Sequence, residues 1–129
     1  MKILDSDHCI AILRGKLDLH DRVNPEEELA ITTINIGELT HGAHRSKNSA
    51  ENLARLDVLL AALIVFSYDE LCAYRFGFLK ANLESIGKPL HDLDLQIASI
   101  AVEHNIPLVT HNHRHFERID GLVLEDWLA

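Results

Sequence analysis

Cysteine is scarce in this chain. Cys9 and Cys72 are the only two, far apart and outside any paired-cysteine motif, which argues against a disulfide framework and against a structural zinc site built on thiolates. Long apolar runs are missing as well. No stretch approaches the roughly 20 residues needed to cross a bilayer. The N-terminus MKILDSD meets an aspartate after only two apolar residues, so no signal peptide is expected and the cytoplasm is the default location. Positive charge is the third shortage: 12 Lys and Arg stand against 20 Asp and Glu, a net −8. A protein that holds nucleic acid by bulk electrostatics needs a basic face. Any nucleic-acid chemistry here must rely on local contacts or on bound cations. Repeats, low-complexity tracts and linkers are also absent.

What remains is ordinary globular composition, 47% apolar and 25% charged over 129 residues. That describes one domain, residues 1–129, able to bury a core of its own. KIL (2–4) is a short apolar run ending abruptly in DSD, as a buried parallel strand does at a sheet's carboxyl edge. HCIAIL continues as a short helix and stops at Arg14-Gly15, and residues 16–28 read as a helical turn and a loop. LAIT (29–32) is a second strand, and Thr33 is placed to cap a helix through INIGELTHGAHRS. Leu53, Leu56, Leu60 and Leu63 recur at helical spacing. IVF (64–66) is a third strand. Asp69 opens a long helix with an expected core face of Leu71, Ala73, Phe76, Leu79 and Leu83, ending at Gly87-Lys88-Pro89. A further helix starts near Asp92, followed by the strand PLVT (107–110) and a short edge strand in GLVLEDW. Strands alternating with helices predict a three-layer α/β/α fold, with a mostly parallel central sheet of about five short strands.

In such sheets ligands bind beyond the carboxyl ends of the strands. Asp5 and Asp7 follow the first strand, Glu38 lies early in the helix after the second, and Asp92 and Asp94 open a later helix. Carboxylate oxygens suit hard cations such as Mg²⁺ or Mn²⁺, which keep several waters and bind substrate phosphates. Structural roles compete at each position. Asp5 is a natural helix N-cap, Asp7 a first-turn acid facing the helix dipole, and Asp92 the N-cap of its own helix. Glu38 and Asp94 sit between apolar neighbours, where an acid points to function.

The segment LVTHNHRHFERI places His111, His113 and His115 alternately within five residues. Histidine-rich tracts bind metal, but no HExxH or CxxC pattern completes a zinc site. Contact with a ligand's phosphates, or plain loop exposure, competes for His111 and His113. Arg14, Lys16 and Arg114 are candidate contacts to the phosphates of a ligand, each with solvated surface charge as the plain alternative.

ILDSDHCIAIL, ITTINIGELTHGA, GKPLHDLDLQIASIA and LVTHNHRHFERIDGLVLEDW occur in this order at intervals that resemble the PIN-domain ribonucleases, specifically VapC toxins. The resemblance spans essentially the whole chain. It implies an Mg²⁺- or Mn²⁺-dependent endoribonuclease that hydrolyses RNA phosphodiester bonds by metal-activated water. It also implies a homodimer, a cognate VapB-like antitoxin and no membrane. By position, Asp5, Glu38 and Asp94 match the family's three acids, as catalytic residues and metal ligands, and Asp7 is an accessory beside the metal. The fourth position departs from pattern. Relatives carry an acid where this chain has Asn112 or His115, which become candidate metal ligands in its place. Two alternatives stay open. One is a catalytically weakened PIN-like binding module that still pairs with an antitoxin. The other is a phosphatase in which the DSD motif supplies a nucleophilic aspartate and an acid/base.

Overall fold

The computed structural model describes residues 1–129, every one of them placed. In chain order the elements are β1 (Lys2–Leu4), α1 (Ser6–Leu13), a 3₁₀ turn (Leu19–Asp21), β2 (Leu29–Thr32), α2 (Thr33–Arg45), α3 (Ser49–Ala61), β3 (Ile64–Phe66), α4 (Glu70–Ser85), α5 (Asp92–His104), β4 (Leu108–Val109), α6 (His113–Phe116) and β5 (Leu124–Glu125). The sheet has five strands in the order β3-β2-β1-β4-β5. Every pairing is parallel. The expected α/β fold is therefore correct and, if anything, understated in its parallel character.

Alternate residues along each strand serve opposite faces, as the pleat requires. Ile3, Ala30 and Leu108 enter a core with α4 and α5, through residues such as Leu79, Leu83, Leu95 and Ile97. Leu4, Ile31 and Val109 enter a second core with α1, α2 and α3, through Cys9, Leu39 and Leu56. The sheet is thus sandwiched between two helical layers, which explains why its strands read as unbroken apolar runs.

Several local expectations need correction. Helix α1 begins at Ser6, two residues before the expected HCIAIL, because Asp5 caps it. Helix α2 is capped by Thr32, whose hydroxyl accepts from Asn35 N at 3.1 Å. Thr33 is the first helical residue instead, and its hydroxyl accepts from Tyr68 N at 3.2 Å. Helix α5 is capped by His91, and Asp92 pairs with Lys80 at 3.0 Å. The buried face of α4 is Cys72, Leu79 and Leu83, while Leu71 and Ala73 face outward. Both expected helix stops hold: Gly15 and Gly87 take φ of +69° and +70°, which only glycine adopts freely.

Candidate active site

From β1 the chain steps through β2 to β3, whereas β4 lies on the other side of β1 and leads to β5. The sheet therefore reverses its winding between β1 and β4, the place where parallel sheets open a crevice. Asp5 stands at the end of β1 and Thr110 at the end of β4, joined by Asp5 N donating to Val109 O at 2.9 Å. A cavity of about 340 Å³ lies there, lined by Asp5, Ser6, Asp7, Glu38, Asp94, His111 and Asn112, with no apolar residue among them. Four acids from three separate elements meet, as the pattern of strand ends predicted.

Asp5 is 8% exposed and is held from both sides. Its Oδ1 accepts from Ser6 N and from Asn35 Nδ2, each at 2.9 Å, and its Oδ2 accepts from Thr110 Oγ1 at 2.7 Å. Capping and site geometry are therefore one arrangement, because the cap turns the carboxylate into the crevice. Burial pushes its carboxyl up from 3.8 to about 6, helped by the charge of Asp7 and opposed by the bonds from Thr110, Ser6 and Asn35.

Asn35 organises the wall opposite. It is fully buried, and its Oδ1 accepts from Thr32 Oγ1 at 2.6 Å, which turns the Nδ2 group toward the acids. Besides Asp5, that amide donates to Ser6 Oγ at 3.0 Å and reaches Glu38 Oε1 at 3.5 Å. Ser6 Oγ in turn donates to Glu38 Oε1 at 2.9 Å. One amide thus spans two carboxylates that would otherwise repel each other.

Asp7 lines the cavity and takes three contacts: His8 Nδ1 at 2.7 Å, His111 N at 2.9 Å and Thr110 Oγ1 at 3.4 Å. Burial raises its carboxyl, but the bonds from His8 and His111 outweigh burial, so it sits below its ordinary value. The His8 ring is fully buried, and its Nε2 accepts from Trp127 N at 3.0 Å. The ring proton therefore sits on Nδ1 and is donated to Asp7. Asp94, in the first turn of α5, is half-buried. Burial raises its carboxyl, and the nearby imidazoles of His115 and His91 oppose the shift.

The three alternating histidines do not converge. Helix α6 starts at His113, and residues two apart on a helix face different ways. His111 Nδ1 meets Asp126 Oδ2 at 2.9 Å. His113 Nε2 is enclosed without a partner. His115 Nδ1 meets Asn112 Nδ2 at 2.8 Å and stands 3.9 Å from Asp94 Oδ2. Asn112 lines the cavity and His115 stands at its margin.

The three basic candidates separate. Arg14 lines an adjoining groove of about 460 Å³ that shares Ser6 and Glu38 with the acid cavity. Lys16 lines a different groove with Asp18 and Arg22. Arg114 lines another with Lys88 and Arg118. Sequence reasoning missed Ser6, Asn35, Thr110 and His8. Asn35 carried a usable signal, being a polar residue three positions before Glu38 and so on the same helical face.

Whether these residues fit a divalent cation is answered by their donors. Every ionisable side chain lining the cavity is a carboxylate, apart from the His111 ring, and two of the four have raised carboxyls. A cation relieves that strain, and oxygen donors suit Mg²⁺ or Mn²⁺. No three of the acids bring ligand atoms within 4.8 Å of one another. That openness suits an ion retaining some of its waters. The donor set fits.

The family model described as PIN domain matches residues 2–122. Ribonuclease VapC2 of Rickettsia felis is 32% identical over 129 residues, with 97% of this chain and 96% of that protein covered. The tRNA(fMet)-specific endonuclease VapC of Salmonella typhimurium is 34% identical over 127 residues, with coverage of 97% and 96%. Among solved structures, DNA-bound VapBC from Salmonella typhimurium superposes with a TM-score of 0.91 at 34% identity, covering 98% of this chain and 99% of that one. VapBC2 from Rickettsia felis, bound to a DNA fragment from its promoter, gives 0.90 at 31% identity, with 98% of each chain covered.

Proposed function

This chain belongs to the PIN-domain family, and on that premise we propose that it is a metal-dependent endoribonuclease, the toxin of a VapBC-like toxin–antitoxin pair. The observation that carries the reading is the convergence of Asp5, Glu38 and Asp94 on one cavity at the switch point of the sheet. Asp5, Glu38 and Asp94 hold an Mg²⁺ or Mn²⁺ ion directly or through water. When bound, the ion supplies positive charge against the scissile phosphate and lowers the cost of deprotonating a water. The chain's own residues do the rest. Asn35, Ser6 and Thr110 hold the two carboxylates of Asp5 and Glu38 in fixed rotamers, so little reorganisation accompanies the reaction. Asp7, fixed by His8 and the His111 amide, keeps a second negative wall beside Asp5. His115 orients Asn112 and offsets the charge of Asp94, so these two occupy the place of the family's fourth acid. The phosphatase alternative gives way to the family match. A weakened binding module is distinguished by experiment.

Arg14 is the basic residue best placed to contact RNA phosphate, since its groove opens into the acid cavity. The same groove, with Ile10, Leu13 and Leu39 beside Arg14 and Arg55, is suited to a segment of a VapB-like antitoxin. An antitoxin that inhibits cleavage equally in a groove-blocking variant such as Gly42→Trp would contradict that placement. A homodimer is supported by Leu71, Tyr74 and Phe78, which expose 63, 73 and 59% of their surface on one face of α4. Sedimentation of the purified chain as a monomer at micromolar concentration would contradict it. No helix is long and apolar enough to cross a membrane.

The activity is tested by incubating RNA with the purified protein across Mg²⁺ and Mn²⁺ concentrations, with Asp94→Asn in parallel. Cleavage by the wild type that needs the ion and falls by about 10²-fold or more in the variant is expected. A folded wild type that cleaves no RNA with any divalent ion favours the binding module. Equal cleavage by the variant removes Asp94 from the site.

A further inference from the structure

We propose a second cation site, separate from the acid cavity, in which Asp69, Cys72 and His104 hold a Zn²⁺ ion between the start of α4 and the end of α5. The three residues offer a carboxylate oxygen, a sulfur and an imidazole nitrogen, all within 4.8 Å of one another. Tetrahedral zinc at ordinary bond lengths sets its donors about 3.3–3.8 Å apart. Closing the remaining distance needs only rotation of Asp69 and His104, which are exposed, around a Cys72 that is fixed in the core. Mixed oxygen, sulfur and nitrogen donors are zinc's preference, and the sulfur disfavours the hard ions suited to the acid cavity.

The fold has already positioned each donor. Asp69 caps α4, and its Oδ1 accepts from Cys72 N at 3.1 Å. Its remaining bond is to the Cys72 thiol, and loss of the thiol proton frees that position for a ligand. The pair sits three residues apart at a helix start, on one face and at the end that favours a thiolate. The His104 ring packs against Phe66 at a tilt of 49°, with centroids 4.7 Å apart. Without an ion the thiol is inert, because burial and its hydrogen bond to Asp69 push it up to about 11. Coordination therefore requires the thiol proton to leave to solvent. The nuclease reading is not involved, since Asp94 and His104 lie ten residues apart on α5, about 15 Å along its axis. Zinc here ties α4 to α5, the helix whose other end carries Asp94, and water fills the fourth position.

The test is a Co²⁺ titration of the purified, reduced full chain, followed through the thiolate-to-cobalt charge-transfer band. Cys9, the other thiol, is enclosed in the core on the opposite face of the sheet. The band is expected in the wild type and in Asp5→Asn, to vanish in Cys72→Ser, and to be displaced by Zn²⁺. His104→Gln, a surface change that leaves the fold intact, should weaken Co²⁺ binding by about 10-fold or more. No band in the wild type, a band that survives Cys72→Ser, or unchanged affinity in His104→Gln would overturn the site. Co²⁺ that binds the wild type without a thiolate band, and no longer binds Asp5→Asn, has entered only the acid cavity, which holds no sulfur, and the proposal fails.

Discussion

Asp5→Asn is expected to lower RNA cleavage by about 10³-fold or more while making the metal-free protein more stable, by about 1–2 kcal/mol. The two effects have one cause. Burial raises the Asp5 carboxyl from 3.8 in the unfolded chain to about 6 in the fold, so between those values the fold keeps a proton that the unfolded chain has lost. Metal-free stability is then greatest below pH 4 as far as this group is concerned, and is lost as pH rises through 6. At neutral pH the loss is of order 3 kcal/mol, reduced in practice by relaxation around the site. Asparagine removes the charge and keeps most of the bonding, since its carbonyl still accepts from Ser6 N and Asn35 Nδ2. Its amide then donates to Thr110 Oγ1. Thermal melting in a chelator at pH 5 and pH 7.5 checks the claim. The gap between variant and wild type should widen at the higher pH. A variant less stable than wild type at pH 7.5 would show that Asp5 is held as a structural cap rather than kept at a cost.

Asn35→Ala should move stability in the opposite direction and damage the site as well. The side chain is fully buried, donates at 2.9 Å to Asp5 and 3.0 Å to Ser6, and accepts from Thr32 at 2.6 Å. Truncation leaves a small cavity, an unpaired Thr32 hydroxyl and two carboxylates without their shared donor, for a cost of about 2–4 kcal/mol. Loss of the group that orients metal ligands should weaken Mn²⁺ affinity by about 10–100-fold. Denaturant melts give the first number, and Mn²⁺ titration well below the melting temperature gives the second. A destabilised variant with undiminished Mn²⁺ affinity would reduce Asn35 to a packing residue.

The contrast between these two residues also shows what the sequence could reveal. Asp5 was legible because an apolar run ending in an acid marks a strand's carboxyl end, and Glu38 and Asp94 were legible as acids between apolar neighbours. Element order, the five strands and the helix stops at Gly15 and Gly87 followed from period and turn chemistry. Asn35 showed only that it shares a helical face with Glu38; its burial and its role stayed hidden, because a buried amide and a solvated one look alike until the partner 30 residues away is known. His8 was hidden for the same reason: its partners, Asp7 and the Trp127 amide, lie at opposite ends of the chain. The missing HExxH or CxxC pattern already told against zinc at the alternating histidines, and the fold scatters them, since His111 precedes α6 while His113 and His115 diverge on it. The caps of α2 and α5 each fell one residue earlier than expected. Thr32 and Thr33 are chemically alike, and only the contact of Thr33 with Tyr68 separates them.

Manganese anomalous scattering from crystals of the wild-type protein tests the central claim most directly. The account predicts a peak in the cavity between Asp5, Glu38 and Asp94, in direct or one-water reach of their carboxylates and lost in Asp5→Asn crystals. A crystal whose manganese lies only elsewhere, from a preparation in which Mn²⁺ supports RNA cleavage, would contradict it.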